Sequence, residues 1–470
     1  MNFYDGAFLV LISACGLLTW RQYQTKEEST EDRKNNDDTT PLAKAEASRF
    51  TKLFLTVYCL VMASDWLQGP YVYSLYKDQF GLDEKIVALL FTTGFLSGGI
   101  SGYFVGSFAD RYGRKLACLV FCLTYSLSCF STIFPSTPIL FVGRIFGGLS
   151  TSLMFSAFES WMVTEYHKRN VQKAGMSLNS LFGVMSTLNS VMAILSGVFS
   201  EWLVQITDDR RMPFMASACL LGVSAYIITI YWTENYGDSA TKAPKSTSGT
   251  SGNSETSPTS PNANATSRTS KSPPPTTSAL SLIFTNPRIF TLGLASCFFE
   301  GSMYLFVFFW TPFLKSTQPS PSSPPLPLGM IFASFMSSVM LGSLTFTQLS
   351  STFPSLTQTR LLTIIFAISS ISLLFPLLTE NQHYTFYAFC TFEAMVGMYF
   401  PSVGSLKGKW IEDGVRARIY GALRVPLNIF VVVSLALVRE GGEYRRGVFL
   451  VCGGLLVAIS GIFYRFVRES

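Results

Sequence analysis

The sequence predicts an all-α membrane protein built as one N-terminal helix followed by two six-helix bundles, and three observations carry that expectation. Apolar runs of about 20 residues, each long enough to span a bilayer as a helix, recur along the 470-residue chain. Charged residues make up only 14% of it against 48% hydrophobic ones, with a mean hydropathy of +0.33, too apolar for an ordinary soluble enzyme. A polar tract near the middle separates the runs into two sets.

In chain order, Phe3 to Trp20 is apolar but carries Asp5 where a signal peptide would be basic. It reads as a retained helix with its N-terminus outside, followed by a mixed-charge connector, so that residues 1–49 form an N-terminal extension. The first bundle, residues 50–236, is expected to hold helices near 50–76, 85–110, 116–134, 138–165, 175–205 and 213–232. Residues 237–280 collapse into Ser, Thr, Pro, Asn and Gly, which cannot bury enough apolar surface to offset their ordering entropy, and a disordered cytoplasmic linker is expected there. Its Ser-Pro pairs at Ser257, Ser260 and Ser272 suit phosphorylation, and its sequon at Asn264 would go unused in the cytoplasm. The second bundle, residues 281–470, is expected near 287–314, 326–349, 361–378, 384–406, 415–438 and 447–466. Two parallel repeats around a central linker is an arrangement of secondary transporters.

Several function classes drop out. The net charge of +6 is spread over short loops with no basic stripe interleaved with aromatics, which argues against nucleic acid. All nine cysteines lie in apolar segments and the two histidines, His167 and His383, at loop edges, so neither a metal site nor a redox couple is expected. No nucleophile and base pair is in sight, and the chain reads as a non-enzyme without a cofactor.

The run Gly106 to Lys115, G-S-F-A-D-R-Y-G-R-K, fixes the orientation. Gly106 and Asp110 share a helix face, where the glycine would admit a neighbouring backbone and the carboxylate would sit at the membrane boundary. Arg111, Gly113, Arg114 and Lys115 follow in a short basic loop of the kind found on the cytoplasmic side. With Arg111 inside, alternation puts about two dozen Lys and Arg inside and about eight outside, and places the linker and C-terminus in the cytoplasm. The string resembles the loop between the second and third core helices of the major facilitator superfamily. That resemblance implies the major facilitator fold and a gating role for Gly106, Asp110, Arg111, Gly113 and Arg114.

Ionisable side chains at membrane depth cost a few kcal/mol each and are kept where they face a cavity or a partner. Six qualify: Asp65, Arg144, Glu159, Glu300, Glu393 and Arg424. An offset of 235 lays Asp65 on Glu300, one of 249 lays Arg144 on Glu393, and one near 245 sets Asn179 against Arg424, as internal repeats would. Arg144 and Arg424 are the candidates for an anion, because a guanidinium keeps its charge and presents a fork of donors to a tetrahedral oxyanion. The competing reading pairs each arginine permanently with a carboxylate. Asp65, Glu300 and Glu393 are candidates for proton coupling or counter-ions, and Glu159 for a gate or packing residue. Gln68, Tyr71, Tyr73 and Ser74 follow Asp65 on the first helix, with Tyr304 and Trp310 as counterparts; Gln68, Tyr71 and Asn179 join the candidate substrate site. Pro70, Pro312, Pro401 and Pro426 are expected to kink or break helices.

Longer strings narrow the resemblance. D-W-L-Q-G-P-Y-V-Y-S-L-Y from Asp65, G-R-I-F-G-G-L-S-T-S-L-M-F-S-A-F-E-S-W from Gly143, F-F-E-G-S-M-Y-L-F-V-F-F-W-T-P from Phe298, P-L-G-M-I-F-A-S-F-M from Pro327, G-M-Y-F-P-S from Gly397 and L-R-V-P-L-N from Leu423 resemble the eukaryotic molybdate-anion transporter family. The family has the extra N-terminal helix too, and the linker departs from it. The resemblance implies molybdate uptake across the plasma membrane to feed molybdenum cofactor synthesis. Rival readings are a facilitator for sulfate, a sugar or another small solute, and a non-transporting membrane sensor on the same fold.

Overall fold

The computed structural model describes residues 2–30, 41–237, 279–320, 324–353, 355–411, 416–439 and 441–469. Thirteen long helices run through them: α1 (Phe3–Thr30), α2 (Pro41–Trp66), α3 (Glu84–Tyr112), α4 (Arg114–Ser131), α5 (Thr137–Lys168), α6 (Leu178–Thr207), α7 (Met212–Tyr231), α8 (Pro287–Ser316), α9 (Leu328–Thr352), α10 (Gln358–Leu374), α11 (Gln382–Trp410), α12 (Arg416–Ala436) and α13 (Gly442–Glu469). Ten of these are long and apolar enough to cross a bilayer. The other three are α2, which packs on α6 and α7, α4, which packs on α5 and α7, and α11, which packs on α9 and α10 and carries Glu393 and Lys407.

Helices α2 to α7 pack on one another, as do α8 to α13, and the two bundles meet where α6 crosses α9 and α3 crosses α12. At the first crossing two glycines let backbones touch: a Cβ on Gly197 would stand 2.9 Å from the Gly329 carbonyl oxygen. Helix α1 packs on α9, where Cys15 Sγ donates to the Ser337 carbonyl at 3.3 Å and Gln22 Nε2 to that of Leu344 at 2.9 Å. The extra helix therefore belongs in space to the second bundle.

The helix expected over 50–76 begins earlier and breaks. It ends at Trp66, turns through Gly69 and Pro70, and resumes as a short turn, Val72–Ser74, and a π-turn, Leu75–Gln79. Pro70 has no N–H to offer a helix. Pro312, Pro401 and Pro426 instead lie inside continuous helices. The expected linker lies almost wholly outside the described residues.

Candidate substrate site between the bundles

In the first bundle the fold gathers Asp65, Gln68 and Arg144 with two α4 residues. Tyr125 Oη donates to Asp65 Oδ1 at 2.5 Å, and Gln68 Nε2 donates to the Ser64 carbonyl at 3.2 Å and to Cys129 Sγ at 3.5 Å. Arg144 lies within electrostatic reach of both Tyr125 and Cys129. Its guanidinium is framed by aromatic rings, 5.1 Å from the Tyr76 centroid and 5.3 Å from that of Phe91. Among the described residues its Nε and Nη2 are buried without a hydrogen-bond partner. An unmet buried donor costs about 1–3 kcal/mol, more on a charged group, so these two atoms await an acceptor.

In the second bundle Glu300 accepts from Tyr399 Oη at 3.0 Å and pairs with Lys407 Nζ at 3.7 Å. Tyr304, one turn along α8, is in electrostatic reach of both Glu300 and Arg424. Arg424 itself is exposed on α12 and pairs with no carboxylate among the described residues. An aromatic wall runs between the arginines: Phe91 meets Phe308 edge-on at 5.1 Å, and Phe95 meets Tyr304 at 5.2 Å.

Other candidates fall elsewhere. Tyr71 Oη donates to Glu201 Oε2 at 2.7 Å, the same oxygen that accepts from the Gly329 N–H at 2.7 Å. Asn179 is exposed in the first turn of α6, ten residues or about 15 Å of helix from Asn189, whose Oδ1 accepts from Trp66 Nε1 at 2.9 Å. Glu393 is buried on α11 one turn from Cys390, where Ala394 and Gly397 pack directly on Gly342 and Val339 of α9. Glu159 is exposed beside Tyr58. Trp310 is buried, packing edge-on against Phe335.

The two ends of the molecule differ. At the end that carries Arg114, Asp110 accepts from Arg114 Nη2 at 2.7 Å, and Arg114 reaches on to the Ser160 carbonyl and Thr164. Glu234 caps α4 by accepting from the Lys115 and Leu116 N–H groups at 2.7 and 3.1 Å. These contacts stay within one bundle. Gly106 does not meet the expectation of a close backbone approach, since a Cβ there would have nothing within 4 Å; α3 and α12 touch further along, where Asn428 Nδ2 would lie 3.5 Å from a Cβ on Gly99. At the opposite end the bundles are clasped. Lys315 pairs with Asp78, which also pairs with Arg210 at 3.4 Å; Arg445 Nε pairs with Glu84 at 3.5 Å, and Tyr73 Oη donates to Glu84 at 3.3 Å. The cleft between the bundles therefore opens toward Arg114.

Residues 3–253 and 261–387 match a family model described as sugar transporters with 12 transmembrane segments. A molybdate-anion transporter of Danio rerio is 30% identical over 477 residues, covering 96% of this chain and 92% of its own. The chain belongs to the molybdate-anion transporter family of the major facilitator superfamily. The molybdate-anion transporter of Takifugu rubripes is 29% identical over 427 residues, 87% of this chain and 85% of that one. Among solved structures, a peptide transporter in complex with sulfate aligns with a TM-score of 0.66 at 15% identity over 89% of this chain and 94% of its own. A D-xylose-proton symporter aligns at 0.60 and 12% over 88% and 98%. At such identities the structures establish the fold alone. The transporter is a multi-pass membrane protein and not an enzyme.

Lys407, Tyr125, Cys129 and the ring pair Tyr76 and Phe91 were not legible as site residues in the sequence. Lys407 follows directly on the apolar run that ends at Leu406, so it reads as a loop charge; in the structure α11 continues to Trp410. Tyr125 and Cys129 are four residues apart and so share a face of α4, a signal that could have pointed to them.

Proposed function

We propose that the transporter carries molybdate into the cell by alternating access, with Arg144 and Arg424 as its principal ligands. The observation that supports this most is the pair of buried, unmet donors on Arg144, framed by the Tyr76 and Phe91 rings, while the nearby Tyr125 hydroxyl is given to Asp65. A tetrahedral dianion matches a guanidinium fork and would satisfy both atoms. Arg424 approaches from the other bundle, so one ion bridges the two as they rock. Gln68 borders the site; Tyr71 acts in the clasp at the far end, and Asn179 at the mouth. Asp65, Glu300 and Glu393 divide between them the roles of proton coupling and counter-ion. The Arg114 end, the linker and the C-terminus face the cytoplasm of a plasma-membrane protein, as the positive-inside bias favours. The segment from Gly106 to Arg114, with Glu159, then closes the inner side when the far end opens.

The family model's description favours a second reading, a neutral sugar. Uptake of molybdate at nanomolar concentration, with excess sulfate or sugar as competitor and beside Arg144→Ala with Arg424→Ala, separates them. Uptake lost in the double variant and resistant to both competitors supports the selective molybdate carrier. Competition by sugar alone, with the double variant active, overturns it.

A further inference from the structure

Three carboxyl groups lie at membrane depth near the cleft or within the second bundle, and their partners differ in kind. Asp65 is held by the neutral hydroxyl of Tyr125, and Glu393 has no hydrogen bond or ion pair among the described residues. Glu300 alone of the three pairs with a cation, Lys407, at 3.7 Å, and both are largely shielded, with 16% and 21% of their side-chain surface accessible. Displacing the partner of Asp65 frees no charge. Displacing the partner of Glu300 frees an ammonium group.

The surroundings of the pair suit an exchange. Lys407 Nζ also stands 5.7 Å from the Tyr420 ring on α12, the helix that carries Arg424 a turn later. Glu300 is faced by Cys297 and Tyr304 from its own helix, by Tyr399 and Lys407 from α11, and, beyond Tyr304, by Arg424 from α12. From α13, Cys452 reaches Ser302 instead. A dianion at Arg424 thus arrives beside a lysine whose one carboxylate partner among the described residues is Glu300.

We propose that Lys407 is a further anion-binding residue, which exchanges Glu300 for the incoming oxyanion while Glu300 takes up one proton. The proposal rests on the reading of Arg144 and Arg424 as an anion site. Once the oxyanion holds the ammonium group, an ionised Glu300 would be left shielded from water with only the Tyr399 hydroxyl, and burial disfavours that charge. One proton from solution adds to the carboxylate as the anion binds and leaves when the anion leaves. Linkage makes the coupling reciprocal, so the anion binds more tightly as pH falls.

Binding of radiolabelled molybdate to the purified full-length transporter, from mildly acidic to mildly alkaline pH, with proton uptake read in weak buffer, tests it. Wild-type protein is expected to take up about one proton per anion and to tighten toward acidic pH. Lys407→Gln should weaken acidic-side binding about tenfold, the worth of one charge-assisted hydrogen bond, and flatten the pH profile. Lys407→Arg should restore the profile, and Glu300→Gln should bind without proton uptake. Proton uptake retained in Lys407→Gln or Glu300→Gln overturns the proposal while leaving the arginine site standing. Absence of molybdate binding by wild-type protein, or binding insensitive to Arg144→Ala, overturns the arginine site itself.

Discussion

The two arginines of the cleft are opposites. Arg144 is fixed between Tyr76 and Phe91 with two donors buried and unmet, whereas Arg424 stands exposed on α12 with no carboxylate partner among the described residues. Holding Arg144 so costs stability, which an acceptor entering the site would return. Arg424 keeps its water and costs little. Had the arginines been locked to carboxylates, as the alternative sequence reading supposed, their charge would already be neutralised and one edge of each fork taken. If the two arginines bind the anion as proposed, the difference gives selection to the first bundle, whose site is preorganised, and capture to the second, whose arginine can follow the ion as the bundles move.

The largest expected effect breaks the comparison outright if it fails. Arg144→Ala should raise the molybdate dissociation constant by about 100-fold or more, since a buried, charged pairing is worth on the order of 3 kcal/mol. Arg144→Lys should still lose about tenfold, because an ammonium group cannot fill a slot shaped for a planar fork between two rings. Arg424→Lys should lose only a few-fold. Equilibrium binding to the purified variants measures all three, and equal losses for the two lysine variants would erase the asymmetry.

Next in size is Tyr125→Phe. Its hydroxyl keeps Asp65 satisfied at 2.5 Å. Without it Asp65 loses its partner among the described residues and is free to turn toward Arg144, which like Asp65 lies within reach of Tyr125, and compete with the substrate. Binding should weaken about tenfold, and Asp65→Asn added to Tyr125→Phe should recover most of that loss. A double variant as weak as the single one would show that Tyr125 serves packing alone.

These contrasts mark what sequence could and could not show. Helix number and four of the six ionisable residues, Asp65, Arg144, Glu300 and Glu393, follow from the cost of placing polar groups in lipid, whereas Glu159 and Arg424 are exposed and the buried Glu84, Glu165 and Glu201 lie outside that set. The offset that laid Asp65 on Glu300 found two carboxylates that each accept from a tyrosine hydroxyl, Tyr125 and Tyr399. Nothing in that offset told which cation stands beside them. Partners come from helices far along the chain, and helix rotation decides whether Glu393, in frame with Arg144, faces the cleft or packs on α9. Conformation was equally hidden, because Gly106 looks like a contact glycine in any state and in this one meets nothing within 4 Å.

The smallest effect concerns the ends. Asp78 links Lys315 of the second bundle to Arg210 of the first, and all three keep between 26% and 29% of their side-chain surface accessible. Such half-wet pairs are worth about 0.2–1 kcal/mol. Asp78→Asn should therefore shift the balance of bundle positions by only about two- to fivefold, away from the form open at the Arg114 end. A Gly106→Cys reporter reads this shift, because Gly106 is open in that form and should be covered in the other; its labelling rate by a water-soluble thiol reagent should fall by the same factor. Arg211→Gln is the control. Arg211 hydrogen-bonds Asp209 within the first bundle and holds its carboxyl down to about 2. Losing Arg211 should let that carboxyl rise toward the ordinary range without changing Gly106→Cys labelling. Equal effects from Asp78→Asn and Arg211→Gln would mean that the clasp acts through local charge and does not join the bundles.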